Sequence, residues 1–248
     1  MTIYNLYNGD IQLEFGTKVG SKGRKKSGYW IDDREVLRVT SVGVPFPFAG
    51  ACWYGAGLAK AKFLSMAEGQ MDLDEDLVIH GEDLPAWGEE LRRAAGDTTA
   101  RDRGTAGHQC IEDYLEVGDF HVPDEFPELE ERVMDFSVWW EKQETEVFAT
   151  EQKVYSKEFR YAGTLDLDAK INGMRAIVDY KFGKIRPSVK TQTAAYQNAR
   201  EEEHGYHYDH RMVISLTEDG IKTEVFEEQE KDFSAFKNLL EYHRWLGG

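Results

Sequence analysis

The chain has 248 residues and a formal net charge of −16, with 46 acidic side chains against 30 basic ones. This length suffices for a decorated domain with a sizeable core, and no apolar run approaches the about 20 residues of a membrane-spanning helix. The acidic balance excludes general electrostatic affinity for DNA, so a nucleic acid would have to be held by a local basic surface. The N-terminus lacks a basic stretch followed by an apolar one, and Cys52 and Cys110 make no disulfide framework. We therefore expect a protein of the cytoplasm with no membrane partner.

The first hundred residues predict an elaboration around a core. Residues 10–15 and 28–42 have the composition of two paired strands around a basic segment that is rich in glycine and serine. Residues 49–67 and 84–95 predict helices. We therefore expect an N-terminal β-hairpin followed by helical segments.

Two groups of basic residues in this part could form the local basic surface that a nucleic acid would require. The Gly/Ser segment has no apolar periodicity and is typical of a mobile loop, with a solvated loop of no function as the alternative. A second group lies just before the next helix. The candidate residues are Lys22, Arg24, Lys25 and Lys26 in the first group, and Arg101 and Arg103 in the second.

From residue 105 onward, the periodicity predicts the order helix, three strands, helix, strand. The predicted bounds are helices at 105–116 and 127–142, strands at 147–155, 159–171 and 175–181, a helix at 188–203, strands at 208–216 and 221–226, and a helix at 231–245. Thr105 is the expected cap of the first helix. Asn172-Gly173 is the strongest short hairpin signal that a sequence offers. We expect residues 105–248 to form the core and residues 1–104 to pack on it, in one compact domain.

The predicted hairpin carries a pattern of charged residues that suits a hard cation. Asp166 lies near the start of its first strand and Asp179 at the end of its second, so the two face each other. Lys181 follows two residues later and shares the face of Asp179. Asp168 has the same strand parity as Asp166 and competes for its role. Single carboxylates on strands are more often solvated or salt-bridged, so the combination matters more than any one residue.

Four short motifs occur in order along the chain: Gly104…His108, Gly163…Asp166, Asp179-Tyr180-Lys181 and Gln192…Tyr196. This series resembles the PD-(D/E)XK nuclease superfamily in its RecB-like exonuclease branch, whose pattern is a histidine helix, G-x-x-D, (D/E)-x-K and Q-x-x-x-Y. The resemblance covers residues 39–196. It implies an α/β fold with an αβββαβ core, in which a central mixed sheet is flanked by helices.

The resemblance also implies a site for Mg²⁺ or Mn²⁺. The expected ligands are His108, Asp166, Asp179 and the Tyr180 carbonyl. An imidazole among oxygen ligands favours Mn²⁺. Lys181 would orient the attacking water or stabilise the transition state. The two cysteines exclude the four-cysteine iron–sulfur cluster of several relatives.

Four further residues are expected around this site. In the resemblance, Gln192 and Tyr196 contact the DNA strand near the metal. Glu112, one turn after His108, either hydrogen-bonds the imidazole ring or is only a surface charge. Glu151 in the first core strand is a further acidic candidate near the metal.

These features predict a metal-dependent DNA exonuclease that acts in recombination, repair or replication. We expect the enzyme to be encoded by a phage and to act in the cytoplasm of a bacterium or of a phage-infected host. Its expected partners are linear DNA with free or single-stranded ends and recombination or replication proteins. No helicase P-loop of the form G-x-x-x-x-G-K-[ST] is present. The alternatives are a structure-selective endonuclease on the same core and a catalytically vestigial nucleic-acid-binding or assembly protein. The intact Asp166, Asp179 and Lys181 count against the vestigial protein.

Overall fold

The computed structural model describes residues 1–19, 25–42 and 98–247. The helices expected at 49–67 and 84–95 lie outside this part of the chain. Two compact units are distinguished, one formed by Met1–Pro45 with Gly107–Gly248 and the other by Phe46–Ala106. The division expected at residue 104 stays a prediction.

The described elements comprise nine strands and five helices. The strands are β1 (Thr2–Leu6), β2 (Ile11–Val19), β3 (Lys25–Ile31), β4 (Arg34–Arg38), β5 (Thr145–Ser156), β6 (Tyr161–Ile171), β7 (Met174–Lys181), β8 (His210–Thr217) and β9 (Gly220–Phe226). The helices are α1 (Val39–Val42), α2 (Thr98–Val117), α3 (Leu129–Trp140), α4 (Ser188–His204) and α5 (Gln229–Gly247). No helix of the described residues is long and apolar enough to cross a membrane.

The order of the elements after α2 is α3, β5, β6, β7, α4, β8, which confirms the predicted αβββαβ fold class. The strands form one mixed sheet in the order β1-β2-β3-β4-β6-β7-β8-β9, and β5 pairs with β6. The pairs β4–β6 and β7–β8 are parallel, whereas the remaining pairs are antiparallel.

Helices cover both faces of the core part of the sheet. Ile177 packs into a cluster with Tyr196 of α4 and Phe236 of α5. Val178, the next residue of β7, packs on the other face in a cluster with Ile111 of α2. This alternation is the period of two of a strand that is buried on both sides.

Two strands, β4 and β7, share one edge of β6 and leave a gap between them, which we call the fork. β5 pairs along one whole edge of β6, so β4 and β7 must share the other edge. β4 pairs there only with Tyr161 and Ala162, and the ladder of β7 ends at Leu167. Among the described residues, positions 163–166 therefore have no strand partner on that edge. The motif Gly163…Asp166 lies in this gap.

The structure confirms the turn predicted at Asn172-Gly173, where both residues have positive φ (52° and 83°), as the tight turns of hairpins require. The single strand predicted at 28–42 is wrong, because a turn at Asp32 and Asp33 divides it into β3 and β4, and α1 follows. Both turn residues have positive φ (49° and 62°) without a glycine to mark them. The predicted cap at Thr105 is also wrong, since α2 begins seven residues earlier at Thr98.

Candidate metal centre

The β6–β7 hairpin sets Asp166 opposite Asp179. The last pair of the ladder is Leu167 with Val178, and the two aspartates are the next residues on their strands. The backbone N–H of Tyr180 donates to Asp166 Oδ2 at 2.8 Å, in place of a bond between the backbones. Both carboxylates are thus fixed at the open edge of β6.

A third carboxylate, that of Glu151, lies on the opposite side of Asp166. The β5–β6 pairs Thr150–Leu167 and Gln152–Leu165 flank these two residues and set them across from each other. Glu151 has a φ of 44°, in the left-handed region that residues other than glycine rarely occupy. Such a conformation costs about 1–3 kcal/mol and is found preferentially at functional sites.

His108 completes a cluster with Glu151 and Asp166. Its Nδ1 lies 3.5 Å from Asp166 Oδ2 and 3.7 Å from Glu151 Oε1. The potential ligand atoms of the three residues all lie within 4.8 Å of one another. Ligands on opposite sides of one Mg²⁺ are about 4.2 Å apart, because each lies at about 2.1 Å. The cluster therefore has the size and the donor atoms of a divalent-metal site.

A glycine lets α2 bring His108 close to the sheet. A Cβ atom on Gly107 would overlap the ring of Phe182, so a larger residue could not approach β7 as closely. The imidazole packs against the rings of Tyr180 and Phe182, each at 5.9 Å between centroids. These contacts fix the orientation of His108 towards the carboxylates.

The charges of the cluster are strongly coupled. Burial alone would lower the pKa of His108, but the carboxylates of Asp166, Glu151 and Asp179 raise it to about 9. Burial raises the pKa of Asp166 to about 6, where the charge of Asp179 adds to the shift and that of His108 opposes it. Ionisation of Asp166 is therefore less favourable here than in water. A divalent metal would supply a further cation that favours the ionised carboxylate.

Asp179 is held by two side chains beside this cluster. Lys181 Nζ forms an ion pair with Asp179 Oδ2 and donates to the Tyr180 carbonyl at 3.3 Å. Gln192 Nε2 donates to Asp179 Oδ1 at 3.0 Å and lies 3.2 Å from the Tyr196 hydroxyl, which accepts from it. The predicted residues of β7 and α4 thus meet at one point of the fork.

Gly163 links the G-x-x-D motif to the Q-x-x-x-Y motif. A Cβ atom on Gly163 would lie 2.5 Å from Cε1 of the buried Tyr196. Only glycine therefore leaves room for the Tyr196 ring against β6. That ring in turn fixes the hydroxyl that accepts from Gln192.

Asp168 has a different role from Asp166, although it lies only two residues away. It is fully buried and accepts hydrogen bonds from Arg175, Arg200 and Tyr208. The metal cluster does not include it. This geometry favours Asp166 over Asp168 as a metal ligand, and the assignment stays a prediction.

The remaining expected residues lie apart from the cluster or outside the described chain. Glu112 accepts a hydrogen bond from Gln109 at 3.3 Å, and among the described residues it forms no hydrogen bond with His108. Lys25 and Lys26 were expected in a loop but are exposed residues of β3, and Lys26 pairs with Glu35 at 2.7 Å. Arg103 is a half-buried residue of α2. Lys22, Arg24 and the side chain of Arg101 lie outside the described residues.

Comparisons with known proteins add little to this geometry. A scan against protein-family models finds no match, and a search of curated proteins finds none. Among solved structures, the chain is similar to the protein SSO0001, with 12% identity over 56% of this chain and 74% of that chain and a TM-score of 0.29. It is also similar to an alkaline exonuclease from Laribacter hongkongensis, with 13% identity over 58% of this chain and 82% of that chain and a TM-score of 0.30.

Proposed function

We propose that the chain is a divalent-metal-dependent deoxyribonuclease that hydrolyses phosphodiester bonds, as an exonuclease on linear DNA. The observation that carries this proposal is the convergence of His108, Glu151 and Asp166 beside the Asp179–Lys181 pair, in the open fork of the sheet.

The donor set fits Mg²⁺ or Mn²⁺. His108, Glu151 and Asp166 would hold the ion, and Asp179 and the Tyr180 carbonyl lie next to them. A bound ion of this kind lowers the pKa of a water ligand and neutralises charge on a phosphoryl group. The single imidazole favours Mn²⁺ over Mg²⁺.

Lys181 acts as a cation in this arrangement. Burial alone would lower its pKa, but the carboxylates of Asp179 and Asp166 raise it above the usual value. A lysine with a raised pKa is protonated in the metal-free protein, so we assign Lys181 a role as a cation and not as a general base. Its ammonium group instead donates to a phosphate oxygen or orients a water molecule, while Gln192 and Tyr196 keep Asp179 in place.

Access to solvent separates this cluster from a purely structural network of ion pairs. The side chains of Asp166, His108, Glu151 and Lys181 are 10%, 27%, 33% and 32% exposed. Asp168 has a side-chain exposure of 0% and is surrounded by its own arginines. A substrate can therefore reach the first cluster and not the second.

Cleavage of end-labelled linear and closed circular DNA tests the proposal. We expect degradation of linear DNA with Mn²⁺, none in excess EDTA, and none by the Asp166→Asn variant. The matched control is Asp219→Asn, because Asp219 is an exposed turn residue that, in the described part of the chain, pairs with Lys222 alone. This variant should keep full activity. Calorimetric titration with Mn²⁺ gives a second readout, in which Asp166→Asn should bind more weakly.

The outcomes separate the alternative functions. Cleavage that survives excess EDTA would refute metal dependence. Equal cleavage of circular DNA would identify an endonuclease, and DNA binding without any cleavage would identify a vestigial nuclease. The biological setting that we propose, recombination, repair or replication in a bacterial or phage-infected cytoplasm, is one that supplies linear DNA ends.

A further inference from the structure

The segment that joins β7 to α4, residues 182–187, displays two cations next to the metal cluster. Lys184 and Arg186 are both exposed. Among the described residues, neither side chain has an ion pair, a hydrogen bond or an aromatic partner. No acidic residue occurs between Asp179 and Glu201, in a chain that has 46 of them.

The backbone of this segment is anchored between the two cations. The Ser215 hydroxyl donates to the Gly183 carbonyl. Ile185 packs against a buried cluster that includes Val213 and Phe226. The N–H of Val189 donates to the Arg186 carbonyl at 3.0 Å. The alternation of anchored and exposed residues holds Lys184 and Arg186 outwards on a fixed backbone, so little entropy is lost when they bind.

The segment lies within reach of a strand that occupies the metal site. Lys184 follows Lys181 by three residues, which is at most about 10 Å along an extended chain. DNA advances about 3.4 Å per nucleotide along its axis. Arg186 follows Lys181 by five residues, at most about 17 Å, so Lys184 and Arg186 lie within about three and five nucleotides of the phosphate at the metal.

Several other basic side chains of the described chain are instead neutralised by acidic neighbours. Lys18 pairs with Glu14 and Asp33, and Lys26 pairs with Glu35. A cation that already has a carboxylate partner gains little from a phosphate. Lys184 and Arg186 keep their full charge for a ligand.

We propose that Lys184 and Arg186 bind the phosphate backbone of the DNA strand next to the cleaved bond and thereby seat the substrate on this acidic protein. This inference rests on the proposed nuclease function and names the surface through which it engages its substrate. Arginine suits such a contact because its planar fork matches phosphate oxygens, and lysine adds a point charge.

The experiment measures DNA affinity by fluorescence anisotropy at several salt concentrations, in an Asp166→Asn background that prevents cleavage. The test variant carries Lys184→Gln and Arg186→Gln. The control carries Lys142→Gln and Lys170→Gln, which remove the same charge from two exposed residues near the far end of the hairpin, where neither side chain forms an ion pair among the described residues.

Loss of two phosphate contacts should reduce the slope of log K against log salt by about 1.4–1.8. At 0.1 M salt, affinity should fall about 25- to 60-fold, whereas the control variant should keep both values. In the cleaving enzyme, the same double variant should raise KM and leave kcat at saturating DNA unchanged.

An unchanged slope in the Lys184/Arg186 variant would overturn the proposal, and so would an equal loss in the control variant, which would indicate only a general effect of net charge. Failure of the unmodified protein to cleave DNA would instead refute the nuclease function. The two failures are distinguishable because the binding measurement requires no cleavage.

Discussion

Exchange of a carboxylate for its amide at two positions of β6 should produce opposite effects. We expect Asp166→Asn to abolish cleavage and leave the fold intact. We expect Asp168→Asn to destabilise the fold and retain activity at temperatures where it is folded. The two residues have the same chemistry and are separated only by Leu167, so the contrast tests the assigned geometry.

The magnitude for Asp168 follows from its partners. Its carboxylate accepts from Arg175 Nε and Nη2 at 3.2 and 3.1 Å, from Arg200 Nη2 at 3.2 Å and from the Tyr208 hydroxyl at 2.6 Å. Arg200 is itself buried, so loss of the charge leaves its guanidinium with only the more distant carboxylate of Glu203, at 3.8 Å, among the described residues. Breaking a buried pair in this way costs about 3–5 kcal/mol. For a chain of this size the Tm should fall by about 6–20 °C.

Asp166 should behave differently in metal-free protein. Burial raises the pKa of Asp166 to about 6, so its ionised form is less favourable in the folded protein than in the unfolded chain. Removing that charge should leave the Tm in EDTA unchanged or raise it. The variant should also lose the gain in Tm that Mn²⁺ gives to the unmodified protein, because ligands stabilise only the state that binds them.

The assay combines thermal unfolding followed by circular dichroism, with EDTA and with Mn²⁺, and cleavage rates at 20 °C. Tyr208→Phe provides a milder variant of the Asp168 network in case Asp168→Asn does not fold. It removes one hydrogen bond to a charged group and should cost about 1.5–3 kcal/mol. A stable but inactive Asp168→Asn, together with an active Asp166→Asn, would show that the assignment of the two aspartates is reversed.

Substitutions at three further residues, Gly163, Glu151 and His108, test the geometry around the cluster. Gly163→Ala should cost about 1–3 kcal/mol of unfolding free energy in urea and slow cleavage, because the added methyl displaces Tyr196. Gly104→Ala is the control and should not destabilise, because no atom of the described residues lies within 4 Å of the added methyl. In EDTA, the free energy of unfolding of Glu151→Gly should exceed that of Glu151→Ala by about 1–2 kcal/mol, because only glycine adopts a positive φ freely. Equal free energies of unfolding would contradict the positive φ at residue 151. His108→Ala should weaken Mn²⁺ binding in calorimetry more than Mg²⁺ binding, and an unchanged preference would remove the imidazole from the site.

The sequence predicts the hairpin part of the site because the residues that determine this part lie close together in the chain. A turn signal at Asn172-Gly173 fixes the register, and the strand period of two then sets Asp166, Asp179 and Lys181 on adjacent positions. These inferences need no knowledge of the rest of the chain. The core strands and helices were predictable for the same reason, as their periodicity is contained within each segment.

The parts of the site that depend on residues distant in the sequence were harder to predict. Glu151 is opposite Asp166 only through the β5–β6 register, and the turn between those strands has no strong signal of its own. Its positive φ is visible only in the structure. The burial of Asp168 depends on Arg200 and Tyr208, which are 32 and 40 residues away. Strand parity alone could therefore not distinguish Asp168 from Asp166.

Three of the four motifs are linked by one continuous chain of contacts. Gly163 leaves room for the ring of Tyr196, whose hydroxyl accepts from Gln192. Gln192 donates to Asp179, which in turn pairs with Lys181. A side chain at position 163 would displace the ring of Tyr196. Two hydrogen bonds would transmit this displacement through Gln192 to the carboxylate of Asp179, which lies beside the metal cluster. The glycine of the G-x-x-D motif and the tyrosine of the Q-x-x-x-Y motif thus act on the Asp179 carboxylate along the same path, which is why neither motif alone would identify the site.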